Sequence, residues 1–526
     1  MRPEQNLSAS AEGISKRCLA DLRVTDPRDD KKRIQDTKGG LLKDSYRWIL
    51  DNADFRRWRR DVDSRLLWIK GDPGKGKTML LCGIIDELLS AGETHDRVLS
   101  YFFCQATDAR INNALAVLRG LVYLLASQRP SLVQYIQKKY DDAGKALFED
   151  TNAWVALSEI LAEMLRDPSL EGAYLVVDAL DECVGDLPAL LDLIVRVSAP
   201  RVKWIVSSRN WPQIEEQLCA AGQTLSLELN ADSVATAVAV YIQYKVGDLA
   251  KRKKYRPETR EAVQHYLSLN AQDTFLWVAL VCQELGKVSQ RKAVTEMGRF
   301  PPGLDAMYSQ MLAQICEGGD AVLCKRILGL VATCYRPVSL EECAALAETP
   351  EETIGDIESM QEIVGLCGSF LTIRDSIVSF VHQSAKDFLL TTASSEIFPF
   401  GMGEIHHTIS SRSLDILTAT LRRDIYDLNH PGFTIDQVSV PDPDPLVTAR
   451  YSCVYWVDHL YDCDPSNKAN KDLRDEGSVD KFLRRSYLYW LEALSLLRSM
   501  PKGILSMTKL NSILQVRPIH PYLRLC

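Results

Sequence analysis

Between Arg65 and about Leu229, short, almost continuously apolar runs alternate with longer stretches whose apolar residues recur every three or four positions. Runs of the first kind are Leu66–Ile69, Val98–Phe103, Tyr174–Val177 and Val202–Val206, with Leu225–Leu229 as a further strand. Strands covered on both faces need this continuity. Helical spacing marks Thr78–Ser90, Ala114–Ser127, Trp154–Leu165 and Leu187–Val197. The alternation predicts an α/β fold, a parallel sheet with helices on both faces. Beyond residue 230 the strand pattern fades. Asp232 to about Gly286 reads as helices, interrupted by Lys251-Arg252-Lys253-Lys254. Four basic residues without interleaved aromatics read as a solvated helix end rather than an anion site. Phe300-Pro301-Pro302-Gly303 is a breaker. Residues 305–391 give several helices and then two apolar runs, Phe370–Ile373 and Ile377–Val381, around a turn at Arg374-Asp375-Ser376. Helices closing on a small hairpin predict a winged-helix domain. Pro441-Asp442-Pro443-Asp444-Pro445 sets off a final helical region rich in aromatics, without internal repeats.

Composition narrows the function classes. At ~150 residues per domain, 526 residues give roughly three to four domains. Lys and Arg number 62 against 70 Asp and Glu, a net charge of -8, so no general affinity for nucleic acid is expected. A hydrophobic content of 46% excludes disorder over most of the length. No apolar leader core opens the chain, and the longest central apolar run, Phe275–Cys282, is far short of the ~20 residues a membrane span needs. Fourteen Cys include no Cys-x-x-Cys pair, so buried reduced thiols in a cytoplasmic protein are expected rather than zinc or disulfides.

The chemistry concentrates in three places. Gly71-Asp72-Pro73-Gly74-Lys75-Gly76-Lys77-Thr78 is a complete P-loop pattern between an apolar strand and an amphipathic helix. Its glycines let backbone N–H groups surround phosphate oxygens, and the helix N-terminus adds its dipole. Lys77 supplies a cation for the outer phosphates, and the Thr78 hydroxyl a magnesium ligand. Tyr174-Leu175-Val176-Val177-Asp178 ends in a carboxylate that a parallel neighbour would set beside the P-loop, to hold magnesium through water. Asp181 and Glu182 follow, and either could activate an attacking water. Val206-Ser207-Ser208-Arg209 ends another strand, from which Arg209 could touch a γ-phosphate.

With these motifs the chain resembles the NACHT branch of the STAND NTPases, and most closely the fungal NACHT proteins related to vegetative-incompatibility proteins. The resemblance runs from about Leu22 to Met500. It also rests on Thr25-Asp26-Pro27-Arg28-Asp29-Asp30-Lys31, Lys38-Gly39-Gly40-Leu41-Leu42, Val177-Asp178-Ala179-Leu180-Asp181-Glu182, Thr274–Leu280, Phe380–Leu389 and Tyr451–Trp456. It implies domains at 1–45 (leader and linker), 46–230 (NTPase), 231–300 (helical), 301–395 (winged helix) and 396–526 (C-terminal helical). It further implies a switch that holds ADP or GDP at rest and exchanges it for ATP or GTP with magnesium. Slow hydrolysis, domain opening, self-association and an effector partner in trans follow from the same resemblance. His382 corresponds to a winged-helix histidine that touches the diphosphate. Asp273 stands where Gly is usual before Thr-Phe-Leu-Trp. A non-hydrolysing scaffold that keeps a diphosphate is the alternative reading.

Overall fold

The computed structural model describes residues 16–90, 97–170, 172–197, 201–219, 222–347, 357–368, 370–429, 433–463 and 472–515. Residues 1–15 of the expected leader and 516–526 of the last helical region lie outside these ranges. The chain divides into two units, Met1–Met307 and Tyr308–Cys526.

Five strands form the sheet of the first unit: β1 (Leu66–Lys70), β2 (Arg97–Phe103), β3 (Gly172–Asp178), β4 (Val202–Ser208) and β5 (Gln223–Ser226). All neighbours are parallel, in the order β2-β3-β4-β1-β5. Every residue of β3 and β4 is buried, as their continuous apolarity requires. Lys203, the one charge in β4, turns its ammonium onto the carbonyls of Trp58, Asp61 (2.7 Å) and Ser64 (3.2 Å). Buried donors need such partners.

The order corrects one expectation. β4 lies between the strand that leads into the P-loop and the strand that ends at Asp178, so Asp178 reaches the loop across β4. A second difference concerns Leu225–Leu229: β5 stops at Ser226, and Leu229 is exposed. A third concerns residues 1–45. Helix α1 (Pro27–Thr37) is capped by Asp26, whose carboxylate accepts the Arg28 amide at 3.0 Å, with Pro27 at its first position. It packs into the same unit rather than trailing as a linker: Lys31 pairs with Asp86 at 2.5 Å. Arg119 likewise donates to the carbonyls of Asp21 (2.7 Å) and Leu22 (2.8 Å).

The P-loop helix is α2 (Lys77–Ser90), followed by α3 (Ala114–Gln128) and, after an unanticipated helix at Val133–Ala143, by α4 (Ala153–Leu165) and α5 (Leu187–Arg196). After the sheet come α6 (Ala231–Lys253), α7 (Pro257–Asn270) and α8 (Phe275–Lys287). The basic cluster 251–254 closes α6, with Lys254 in the left-handed region at φ 55°.

In the second unit β7 (Leu371–Arg374) and β8 (Ile377–Phe380) form the expected hairpin. A two-residue strand, β6 (Val338–Ser339), extends it on the other edge of β8; two residues carry no readable periodicity. Helix α9 (Gln383–Leu390) follows the hairpin, and the helical part holds α10 (Met402–Thr420), α11 (Arg450–Asp462) and α12 (Ser478–Leu496). Trp456 and Trp490 are fully buried at its centre. Beside them runs a buried polar chain. Tyr335 N–H donates to the Tyr451 hydroxyl at 3.1 Å. That hydroxyl lies 2.7 Å from His459 Nε2, and His459 Nδ1 lies 2.9 Å from His406 Nδ1. Burial holds both rings below the ordinary histidine range.

A histidine depressed on folding contributes stability above its unfolded pKa and loses it as pH falls below ~6.5, by up to about 1.4 kcal/mol per pH unit for each ring. Chemical denaturation of the second unit should show its midpoint falling from pH 7.5 to pH 5. His459→Gln should make that slope shallower. An unchanged slope would mean that other groups carry it.

Candidate functional site

The P-loop begins where β1 ends. Gly71 N–H donates to the Ser208 carbonyl at 3.3 Å, which ties the first loop residue to β4. Gly74 and Gly76 adopt φ values of 78° and 86°, a region in which side chains are strained and glycine is not. Asp72 is exposed, while Pro73, Lys75 and Thr78 are half-buried, Thr78 in the first turn of α2. The Lys77 ammonium donates to the carbonyls of Gly71 and Asp72, the latter at 3.0 Å. Burial lowers its pKa, opposed by the charges of Asp181 and Asp178.

The acidic motif turns on Ala179, left-handed at φ 56°, ψ 56°. The Ala179 Cβ crowds the following carbonyl there, a local strain that glycine would not carry. The turn sends the three carboxylates to different partners. Asp178 is buried, and its Oδ1 accepts the Ser207 hydroxyl at 2.5 Å. Asp181 Oδ1 accepts the Arg209 amide and its Oδ2 pairs with Arg209 Nε, both at 3.0 Å. Glu182 Oε2 accepts the Ala106 amide at 3.0 Å, just past β2. Burial raises Asp181 against the pull of Lys77 and Arg209. For Glu182 burial and then the Asp181 charge push the carboxyl up to about 8. The expected P-loop residues, Asp178, Asp181, Glu182 and Arg209 thus gather at the carboxyl ends of β1, β3 and β4.

His382 belongs to the second unit, as the N-cap residue of α9. Its Nδ1 accepts the Ser384 amide at 3.1 Å, which puts the ring proton on Nε2.

Two groups escaped the reading of the sequence. The residues before α8 press on the P-loop: Lys75 Nζ donates to the Gln272 carbonyl at 2.9 Å, and Leu276 N–H faces the Gly74 carbonyl at 3.4 Å. A Cβ on Gly74 would meet Thr274 Cγ2 at 2.8 Å, and one on Gly76 the Phe275 ring at 2.9 Å. Gln272 and Asp273 are left-handed at φ 47° and 54°, which explains why glycine suits position 273 and how Asp, tolerant of that region, replaces it. The other group is Glu228, whose Oε1 accepts the Asp72 amide at 2.7 Å. A carboxylate just past a strand's carboxyl end was the available signal, obscured by the apolar run around it.

The donor set suits a magnesium-bound phosphate. The Thr78 hydroxyl and Asp178 carboxylate are hard oxygen ligands, and no three His, Cys, Asp or Glu side chains converge on a metal site among the described residues. Such a set fits an ion completed by phosphates and waters rather than caged by protein.

Comparison with known proteins agrees with this geometry. Residues 44–209 match the family described as Nephrocystin 3, N-terminal. Over 517 residues, 94% of its length, the chain is 55% identical to the vegetative incompatibility protein HET-E-1 of Podospora anserina. The chain spans 38% of the length of that relative. Among solved structures, the Walker-type ATPase of Pyrococcus abyssi aligns with a TM-score of 0.30 at 11% identity, over 64% of this chain and 93% of that one. The ORC2 protein of Aeropyrum pernix aligns with a TM-score of 0.30 at 9% identity, over 65% and 92%. No helix among the described residues is long and apolar enough to cross a membrane.

The Glu182 carboxyl, raised from 4.5 to about 8 on folding, contributes stability that is complete below ~4.5 and lost as pH climbs through about 8. Glu182→Gln removes that titration. In protein free of nucleotide and metal it should raise the thermal midpoint at pH 8.5 and leave it near the parent's at pH 5. An equal shift at both pH values would mean that Glu182 does not titrate in this window.

Proposed function

We propose that this chain is a nucleotide-operated signalling switch of fungal incompatibility: it binds ATP or GTP with magnesium and hydrolyses it slowly. Nucleotide state is coupled to domain opening and self-association, and an effector acts in trans in the cytoplasm. The observation that carries the reading is the Lys77 ammonium, held inside a loop of left-handed glycines and acted on by Asp178 and Asp181. Gly71 to Thr78 would cradle the phosphates, and Thr78 and Asp178 would hold the magnesium, which neutralises charge on the transferring phosphate.

Among the acids, Glu182 is the better general base. Asp181 is committed to Arg209 through both oxygens, and that pair would report a γ-phosphate by its rearrangement. Glu182 accepts one amide and keeps a carboxyl raised to about 8, so at neutral pH a minority is ionised and turnover is slow. The same raised carboxyl favours, as a second reading, a scaffold that retains a diphosphate and hydrolyses nothing. Direct contact of the P-loop with the start of α8 supports coupling, because a ligand that fills the loop alters what α8 packs against.

Chromatography of the nucleotide released on denaturing purified protein identifies the base. Lys77→Ala should abolish triphosphate binding while leaving the fold intact, since charge-assisted bonds to phosphate are roughly twice as strong as neutral ones. Unchanged affinity would sink the assignment. Glu182→Gln should keep binding and slow hydrolysis by ~10²–10⁴-fold, the range a general base contributes. If Asp181→Asn slows the reaction and Glu182→Gln does not, the base is Asp181; if the parent itself shows no turnover, the scaffold reading stands.

A further inference from the structure

Glu228 lies two residues beyond the end of β5, on the far side of β1 from the acidic motif. Its Oε1 accepts the Asp72 amide at 2.7 Å, and its Oε2 accepts the Ser226 hydroxyl at 2.9 Å. The approach is close: a Cβ on Gly71 would stand 3.1 Å from Leu227 and 3.2 Å from Glu228 Oε1. Leu227 N–H donates to the Lys70 carbonyl at 2.9 Å, so the segment is fixed to β1 up to the residue before Glu228.

The peptide that joins Gly71 to Asp72 is planar, and in a trans peptide N–H and C=O point to opposite sides. Glu228 takes the N–H. The carbonyl of the same peptide, that of Gly71, is thereby turned the other way, where it accepts from the Lys77 ammonium. One carboxylate thus sets a peptide plane, and the plane sets a cation. An ammonium has three donors. Gly71 and Asp72 account for two, which leaves a third for a phosphate oxygen. Burial alone would raise the Glu228 carboxyl, but the Asp72 amide, its own amide, the Ser226 hydroxyl and Lys77 outweigh it and hold it below its ordinary value. The acceptor is therefore ionised at neutral pH.

We propose that Glu228 is a positioning residue for nucleotide binding: through the Gly71–Asp72 peptide it holds the Lys77 ammonium in the pose that receives the outer phosphates. The inference rests on the nucleotide reading above and names a residue that reading does not contain. Without Glu228 the peptide is free to rotate and must be ordered when the ligand arrives, a cost that appears as lost affinity. Glu228→Gln offers the same side-chain oxygen without the charge. Glu228→Asp keeps the charge and falls one carbon short.

The test titrates the parent, Glu228→Ala, Glu228→Gln and Glu228→Asp with a fluorescent triphosphate, in adenine and guanine forms, and with the matching monophosphate by competition. Unfolding midpoints are recorded alongside. Glu228→Ala and Glu228→Asp should weaken the triphosphate about tenfold, a typical cost of losing one hydrogen bond to a charged group. Both should leave the monophosphate within about twofold, because Lys77 serves the outer phosphates. Glu228→Gln should stay within about threefold of the parent for both ligands. Should Glu228→Ala not fold, the Gln and Asp variants decide between reach and charge. The proposal is overturned if the folded variants match the parent, if mono- and triphosphate weaken equally, or if Gln weakens binding as Asp does. A parent that binds neither nucleotide overturns the nucleotide reading itself, and the role of Glu228 with it.

Discussion

Keeping one ammonium charged away from bulk water is the constraint on which the first unit depends. Desolvating an ion is costly, so a half-buried cation stays charged only if its surroundings answer it. For Lys77 the answer comes from three directions. Two carbonyls of its own loop accept its hydrogen bonds, Asp178 and Asp181 supply opposite charge from the end of β3 and the turn beyond it, and Glu228 turns one of the carbonyls into place from just past β5. These three sources lie far apart along the chain. A parallel sheet with all carboxyl ends at one edge is what collects them.

The same geometry separates two neighbouring acids. Asp181 and Glu182 are consecutive, yet the left-handed turn at Ala179 sends one towards Arg209 and the other towards Ala106. Burial raises both carboxyls, but at Asp181 the Arg209 guanidinium and Lys77 oppose it, whereas Glu182 has one amide and two like charges nearby. Environment rather than residue type sets their protonation.

Much of this was readable from the chain. The P-loop, the strand ending at Asp178 and the strand ending before Arg209 each carried a local signal, because a buried parallel strand must be apolar throughout and its first polar residue marks its end. What escaped had a local signal that was obscured, or none. The insertion of β4 between β1 and β3 is a long-range pairing that periodicity does not encode. Glu228 sat inside the run Leu225–Leu229, whose apolar pattern continues past the point where hydrogen bonding stops. The packing of residues 16–37 onto α2 and α3 was missed because the segment is polar. Few apolar residues, Cys18, Leu22 and Ile34, are buried there, joined by contacts such as Lys31–Asp86 and Arg119–Leu22.

The space above the glycines of the P-loop is taken by Thr274 and Phe275, and the peptide at its start is held from residue 228. The stretch that matches the family model ends at 209. A fragment cut at that boundary would contain every residue of the phosphate motif and would lack one wall and the roof of its chamber. The matched module and the mechanical part are therefore different lengths of chain, since the contacts on the loop extend to the first turn of α8.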